Sequence, residues 1–242
     1  MTNLNTSTEA PNTTETAIGF IPCYRLPFLS LFHADCMDIM AQYPDKYFDL
    51  AIVDPPYGIG VNKMTLGNGK KKIYRGDANW DNAIPPAEYW EQLFRVSKNQ
   101  IVWGGNYMTE FLPPMSSWIF WDKGTGENDF SDGELAWSSI GGALRKCTKS
   151  WVGANAKDEA ERIHPTQKPV YLYRWILNKF AKEGFKILDT HFGSGSIALA
   201  VDKANRLDKM NLHLTACEID KEYIDKAIKR ISESIKQGTL SF

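Results

Sequence analysis

Three short stretches carry residue types that could do chemistry. In FDLAIVDPPYGIG (48–60) a hydrophobic run ends at Asp54 and passes directly into Pro55, Pro56 and Tyr57. The prolines fix their own φ and restrict the residue before each, so a carboxylate and its neighbouring carbonyls are held rigidly beside an aromatic ring. In ILDTHFGSGSIALA (187–200) a strand-like run ends at Asp189 and turns through Gly193 and Gly195 into a helix-like segment. Glycines there let the backbone turn tightly and approach a ligand, although alone such a turn equally serves to pack a helix on a strand. ACEID then puts Glu218 at the end of the next strand-like run, 23 residues after Gly195. That is close to the spacing at which a carboxylate accepts hydrogen bonds from ribose hydroxyls. The pattern points to a ribose-bearing ligand, and the lack of a P-loop lysine and of a full G-x-G-x-x-G matches it to neither ATP nor NAD.

The elements that must position these groups follow a βαβ rhythm. LSLFHAD (29–35) and FDLAIVD (48–54) read as strands ending in aspartate, joined by a short helix and turn in MDIMAQYPDKY. PAEYWEQLFRVS (86–97) has Tyr89, Trp90, Leu93, Phe94 and Val96 at mostly helical spacing, ahead of the strand-like QIVWGG (100–105) and SWIFWD (117–122). Toward the C-terminus VYLYRWILNKFA reads as a helix, FKILD (185–189) as a strand, SIALAVDKAN as a helix, LHLTACEID (212–220) as a strand and KEYIDKAIKRISESIK as a final helix. Parallel strands need crossover helices, so the expected fold is α/β, a doubly wound, mostly parallel, Rossmann-like sheet. Residues 1–17 are almost all Thr, Asn, Ser and Glu, a composition expected to form a disordered tail ahead of one catalytic domain, 18–242. Within that domain, 123–163 is rich in Gly, Ser, Asp and Lys and is expected as an inserted loop or small target-recognition region, while 58–82 is expected as a long functional loop.

Composition bounds the class. The chain is 43% hydrophobic and 24% charged, as an ordinary globular protein is. Its four cysteines include no C-x-x-C pair and no histidines at zinc spacing, so neither a disulfide framework nor a metal site is expected. No apolar run approaches the roughly 20 residues of a membrane span, and the polar N-terminus lacks a signal-peptide core, which makes the cytoplasm the expected compartment. A net charge of −1 argues neither for nor against nucleic acid, because phosphate binding needs only a local basic surface.

At DPPY the sequence resembles the DNA amino-methyltransferases that use S-adenosylmethionine, in the permuted order that puts DPPY before the cofactor glycines. The resemblance spans most of residues 29–235. It implies that Asp189, His191, Phe192, Gly193, Ser194, Gly195 and Ser196 form the cofactor loop and that Glu218 holds the ribose. It further implies that Asp35 of FHADC, with Cys36 beside it, contacts the adenine. HPTQKPVYLYRWIL would line the methionine end, with Lys168 facing it and His164 and Thr166 alongside. Relatives usually carry Phe where this chain has His191, and their recognition regions are often longer. Dimers are frequent among them, so a homodimer is implied by resemblance alone.

The chemistry explains why such a site would use this turn. An exocyclic amino nitrogen of adenine or cytosine is a poor nucleophile, because its lone pair is delocalised into the ring. Asp54 and the Pro55 carbonyl, aimed at the two amino hydrogens, would favour a pyramidal nitrogen whose lone pair points at a sulfonium methyl, with Pro56 keeping the turn stiff. The base must leave the duplex, and Tyr57 would stack on it; Trp103 and Tyr107 are further aromatic candidates, with core packing as their alternative reading. Direct displacement needs neither a metal nor a covalent enzyme intermediate, so Pro22-Cys23 reads as structural. DPPY is more usual for adenine in this family and SPPY for cytosine. The alternatives to an adenine enzyme are a cytosine 4-amino methyltransferase, an RNA or protein amide methyltransferase, and a silent binding module on the same fold. Lys63, Lys70, Lys71, Lys72, Arg75, Arg145, Lys146 and Lys149 are the expected phosphate contacts. If about four of them neutralise phosphates, DNA affinity falls about 100-fold between roughly 50 and 200 mM salt. A filter-binding titration checks this, and an affinity that stays flat across that range overturns it.

Overall fold

The computed structural model describes residues 19–60, 65–66, 71–72, 81–124, 131–148, 163 and 166–239; the tail expected at 1–17 lies outside them. Along the chain come β1 (Tyr24–Leu26), β2 (Leu29–His33), α1 (Cys36–Ala41), β3 (Leu50–Val53), β4 (Thr65–Leu66), β5 (Lys71–Lys72), α2 (Ala87–Val96), β6 (Gln100–Trp103), a 3-10 turn at Gly105–Tyr107, β7 (Trp118–Asp122), β8 (Gly133–Ser138), β9 (Arg145–Thr148), α3 (Val170–Phe180), β10 (Lys186–Asp189), α4 (Ser196–Asp208), β11 (His213–Glu218) and α5 (Lys221–Thr239). Nine strands form one sheet in the order β1-β2-β11-β10-β3-β6-β8-β7-β9, and β4 pairs with β5 in a separate ribbon. The central run β2-β11-β10-β3-β6 is parallel throughout, while β1 and β8 run against it. The architecture is therefore the doubly wound α/β sheet expected, with antiparallel strands added outside its parallel centre.

The strands form because their residues have core on both sides. Along β3, Leu50 and Ile52 pack with α3, α4 and α5 on one face, and Ala51 and Val53 pack with α1 and α2 on the other. The alternation of a strand thus becomes a continuous apolar run, as a parallel strand covered on both faces requires. Each Leu, Ile or Val buried in this way contributes about 1.5–3 kcal/mol relative to exposure. Helix α2 buries Tyr89, Trp90, Leu93 and Val96 on one stripe. Arg95 in its last turn donates to the carbonyls of Tyr43 and Met40, tying α2 to the end of α1.

Strand order reverses between β10 and β3. From β10 the chain crosses by α4 to β11 on one side, and from β3 it crosses by α2 to β6 on the other. In open α/β sheets the crevice at the carboxyl ends of the strands, at such a reversal, is where ligands bind. Asp54, Asp189 and Glu218 all lie at these carboxyl ends.

Two differences from the sequence reading concern strands. The stretch 123–163, expected as an inserted loop, gives β8 and β9 to the main sheet, where β8 pairs with β6 and β7. Only the last three residues of β8, Ala136, Trp137 and Ser138, are buried, and only Cys147 is buried in β9, so neither shows a full strand alternation. The short β1 was also unmarked, being three residues paired with β2 around Pro27 and Phe28.

At the exit of β6, Gly104 adopts φ +67 with the ring of Tyr57 lying against its α-carbon, so any Cβ there would overlap that ring. A left-handed non-glycine residue and the displaced ring together make Gly104→Ala cost about 2–4 kcal/mol. Urea denaturation measures this, and a loss under half that figure would mean that Tyr57 is not seated on Gly104.

Candidate active site

A cleft of about 310 Å³ opens at the carboxyl ends of the parallel strands. Its wall brings together Asp35 and Cys36 at the start of α1, the Asp54–Tyr57 turn after β3, Lys168 before α3, His191 to Ser194 and Ser196 around the turn into α4, and Glu218 at the end of β11. Asp189 and Gly195, expected with them, sit in the same turn but behind the lining. Thr166 and Gln167 also face the cleft, whereas His164 lies outside the described residues.

Asp54 is the centre of one end. Its Oδ1 accepts a hydrogen bond from the Tyr57 hydroxyl at 2.7 Å, and its Oδ2 lies 2.5 Å from the Lys168 ammonium. That ammonium also donates to the Tyr57 oxygen at 3.1 Å and pairs with Glu134 of β8 at 3.3 Å, while Lys123 pairs with the other Glu134 oxygen at 2.7 Å. Burial pushes the Asp54 carboxyl above its ordinary value, with Lys168 opposing the rise. Burial alone would also strip Lys168 of its proton, but Asp54 and Glu134 outweigh it and hold the ammonium above its usual value. Lys168 therefore keeps its proton, and its ammonium is the group that opposes the effect of burial on Asp54.

The DPPY turn is held by a residue that sequence reasoning missed. Asp81, 1% exposed, accepts from the backbone N–H of Tyr57 at 2.8 Å and of Gly58 at 2.9 Å through Oδ1. Its own carbonyl accepts from Gly60 at 3.1 Å. One aspartate in a polar loop carries no periodic signal, and only the fold shows that its carboxylate cradles two successive amides. Tyr57 stacks on Tyr107, with ring centroids 5.3 Å apart and planes 18° from parallel. Tyr107 is 45% exposed at the mouth, whereas Trp103 is fully buried and belongs to the core.

At the other end Glu218 organises the glycine turn. Its Oε2 accepts from the Gly193 N–H at 2.8 Å, and its Oε1 accepts from Ile219 and Asp220, each at 3.0 Å. Arg230 of α5 donates to the Ser194 carbonyl and the Ser196 hydroxyl, each at 2.9 Å. Behind the turn, Asp189 accepts from the His191 N–H at 3.0 Å, and burial lifts its carboxyl to about 8. Burial drives the His191 imidazole down to about 4, so it is neutral at physiological pH; it bonds Thr190 at 2.9 Å and meets Tyr89 edge-on. Asp35 caps α1 by accepting from the Met37 N–H at 2.8 Å, and burial raises the neighbouring Cys36 thiol to about 12, leaving it un-ionised. Gln167 is held through Oε1 by the Ile163 N–H at 3.0 Å, while its buried Nε2 has no hydrogen-bond partner among the described residues.

Of the expected phosphate contacts, Arg145 and Lys146 are exposed on β9, with Lys146 paired to Asp122 at 2.9 Å. Lys71 and Lys72 form β5. Lys63, Lys70, Arg75 and Lys149 lie outside the described residues. Among the described residues there is no cluster of His, Cys, Asp and Glu placed to hold a metal, and no helix is long and apolar enough to cross a membrane.

The fold is that of the Rossmann-like DNA methyltransferases it resembles, and residues 122–229 match the N6_N4_Mtase family model, described as a DNA methylase. The chain is 21% identical to the type II methyltransferase M2.LlaDCHI of Lactococcus lactis subsp. cremoris, over 90% of this chain and 94% of that one. It is 23% identical to M2.DpnII of Streptococcus pneumoniae, over 87% and 92%. Among solved structures, the M1.HpyAVI–SAM complex has a TM-score of 0.52 at 18% identity, covering 84% of this chain and 99% of that one. The PvuII cytosine-N4-specific DNA methyltransferase has a TM-score of 0.56 at 13% identity, covering 88% and 89%.

Asp81→Ala would leave two amides of the DPPY turn without their acceptor, each such loss costing about 1–3 kcal/mol when buried. The expected result is a stability loss of about 2–4 kcal/mol with methyl transfer reduced far more than cofactor binding. Urea denaturation, calorimetric titration and a transfer assay check it, and unchanged transfer would remove Asp81 from the turn's support.

Proposed function

We propose that the protein transfers a methyl group from S-adenosylmethionine to the exocyclic 6-amino group of adenine in DNA, on a base flipped out of the duplex. The observation that carries this reading is the placement of Asp54 in a rigid, Asp81-held turn on the wall of the same cleft as the glycine turn and Glu218.

The residues fit the cofactor. The cleft lies within the range of about 300–1,000 Å³ usual for small-molecule sites. The orphaned Gln167 donor lines it, and Glu218 lies at the turn after β11, where ribose hydroxyls would be held. Gly193, Ser194 and Glu218 would hold the nucleoside part, and Gln167 a polar group at the opposite end. When bound, S-adenosylmethionine supplies an electrophilic methyl on a positively charged sulfur. Asp54 and the Pro55 carbonyl would accept the two amino hydrogens and so localise the nitrogen lone pair for attack. Tyr57, on whose ring Tyr107 now stacks, would stack on the flipped base. After transfer Asp54 accepts the proton that the nitrogen must shed.

Adenine is favoured by Asp rather than Ser at position 54. Cytosine N4 is the second reading, because the PvuII cytosine-N4 enzyme shares the fold. The exposed Arg145 and Lys146 on β9, with the lysines and arginine after the DPPY turn, would carry the DNA backbone. The setting is cytoplasmic, as the modification partner of a restriction system, and a homodimer is the assembly that family resemblance suggests.

Incubation with S-adenosylmethionine and mixed-sequence DNA, followed by nucleoside digestion and mass spectrometry, tests the reading. N6-methyladenine, absent with Asp54→Ala, is expected. N4-methylcytosine would install the second reading, and no methylated base despite cofactor binding would overturn both.

A further inference from the structure

The proposed mechanism leaves one buried charge without a task. Lys168 lies in the segment that resemblance assigns to the methionine end of the cofactor, yet its ammonium points elsewhere. An ammonium has three hydrogens to donate. Three acceptors surround it, Asp54 Oδ2 at 2.5 Å, the Tyr57 hydroxyl oxygen at 3.1 Å and Glu134 Oε2 at 3.3 Å. Its side chain is 1% exposed, and the rings of Trp103 and Tyr57 lie 5.0 and 5.6 Å from it. Nothing is left to donate to a ligand carboxylate.

Glu134 makes the arrangement specific. It stands on β8, across the sheet end from Asp54, and Lys123 at the end of β7 occupies its second oxygen at 2.7 Å. The chain Lys123–Glu134–Lys168–Asp54 alternates in sign and is neutral as a whole. Lys168 is removed from water while Asp54, Glu134 and Lys123 are partly exposed, and each has a partner of opposite sign in contact, so the buried ammonium is compensated.

Resting on the methyl-transfer reading above, we propose that Lys168 is a positioning residue that acts through Asp54. Anchored on its far side by Glu134, it keeps the carboxylate ionised and oriented toward the target amino group, and it is not a ligand of the cofactor's carboxylate. The ionisable groups that face Asp54 are Lys168 from the segment before α3, Tyr173 from α3, Tyr57 from its own turn, Glu134 from β8 and, more distantly, Asp189 from β10. Among them Lys168 alone is cationic. Removing it leaves Asp54 buried beside other acidic groups, so its carboxyl must titrate at higher pH.

The test compares wild type with Lys168→Met, with Lys168→Arg and with the charge-balanced double variant Lys168→Met/Glu134→Gln, which keeps Lys123 as counter-charge should the single variant unfold. Three quantities are read: the Kd for S-adenosylmethionine by calorimetry, the single-turnover transfer rate against pH, and the titration of Asp54 by carbon-13 NMR of its carboxyl. The expected result is a Kd within threefold of wild type, transfer at neutral pH at least 100-fold slower, and both the acid limb of the rate profile and the NMR titration of Asp54 displaced upward by a pH unit or more. Lys168→Arg should recover part of the rate. A Kd raised tenfold or more with the Asp54 titration unmoved would overturn the proposal and return Lys168 to the cofactor. If wild type methylates no base, the methyl-transfer reading falls by itself, and the NMR titration still decides whether Lys168 governs Asp54.

Discussion

The structure depends on a buried ammonium, that of Lys168, held against the carboxylate of Asp54 at the wall of the cleft. Moving an ion out of water costs several kcal/mol even after relaxation, and that cost is recovered only by a partner in good geometry. Lys168 meets the condition through Asp54 and Tyr57, which close a triangle of contacts of 2.5, 2.7 and 3.1 Å. Much of the surrounding architecture serves that triangle. Strand β3 must be central, because a strand covered on both faces ends where backbone and side chains are least free to move. Strand β8 must lie in the main sheet, because Glu134 reaches Lys168 from there. The Asp81 carboxylate must fold under the turn, because prolines alone stiffen it without anchoring it to the body of the protein.

The two ends of the cleft handle charge differently. Around Asp54 every charge is paired. Around the glycine turn several groups give up charge: the Asp189 carboxyl, raised to about 8, is largely protonated at neutral pH, the His191 imidazole, lowered to about 4, is neutral, and the Cys36 thiol, raised to about 12, stays protonated. Glu218 remains the principal acceptor there, its oxygens already oriented by three backbone amides. The carboxylate is thus aimed before a ligand arrives, and less binding free energy is spent on ordering it.

The α/β sheet was legible because its strands alternate with helices at regular spacing and because β3 is a continuous apolar run and β6, β10 and β11 each carry an apolar stretch. The cleft was legible because chemistry at the strand ends demands particular residues, Asp54 before two prolines and Glu218 at a set distance from the glycines. Strands β8 and β9 were not legible, since each buries only part of its length and begins among Gly, Ser and Lys residues. Trp103 and Tyr107 could not be separated by type or spacing; the first is core and the second lies at the mouth.

What the sequence by itself determined is the local and the periodic: strand, turn and helix order, the stiffness of DPPY, and the placing of acidic residues at strand ends. These depend on backbone restriction and on apolar spacing, which act over a few residues. The tertiary structure alone decided which charges meet. Lys168 lies 114 residues from Asp54 in the chain, and Asp81 lies 24 residues from Tyr57. Contacts between such distant residues have no periodicity to betray them, because they are selected by the packing of the whole sheet and not by any neighbouring stretch of chain.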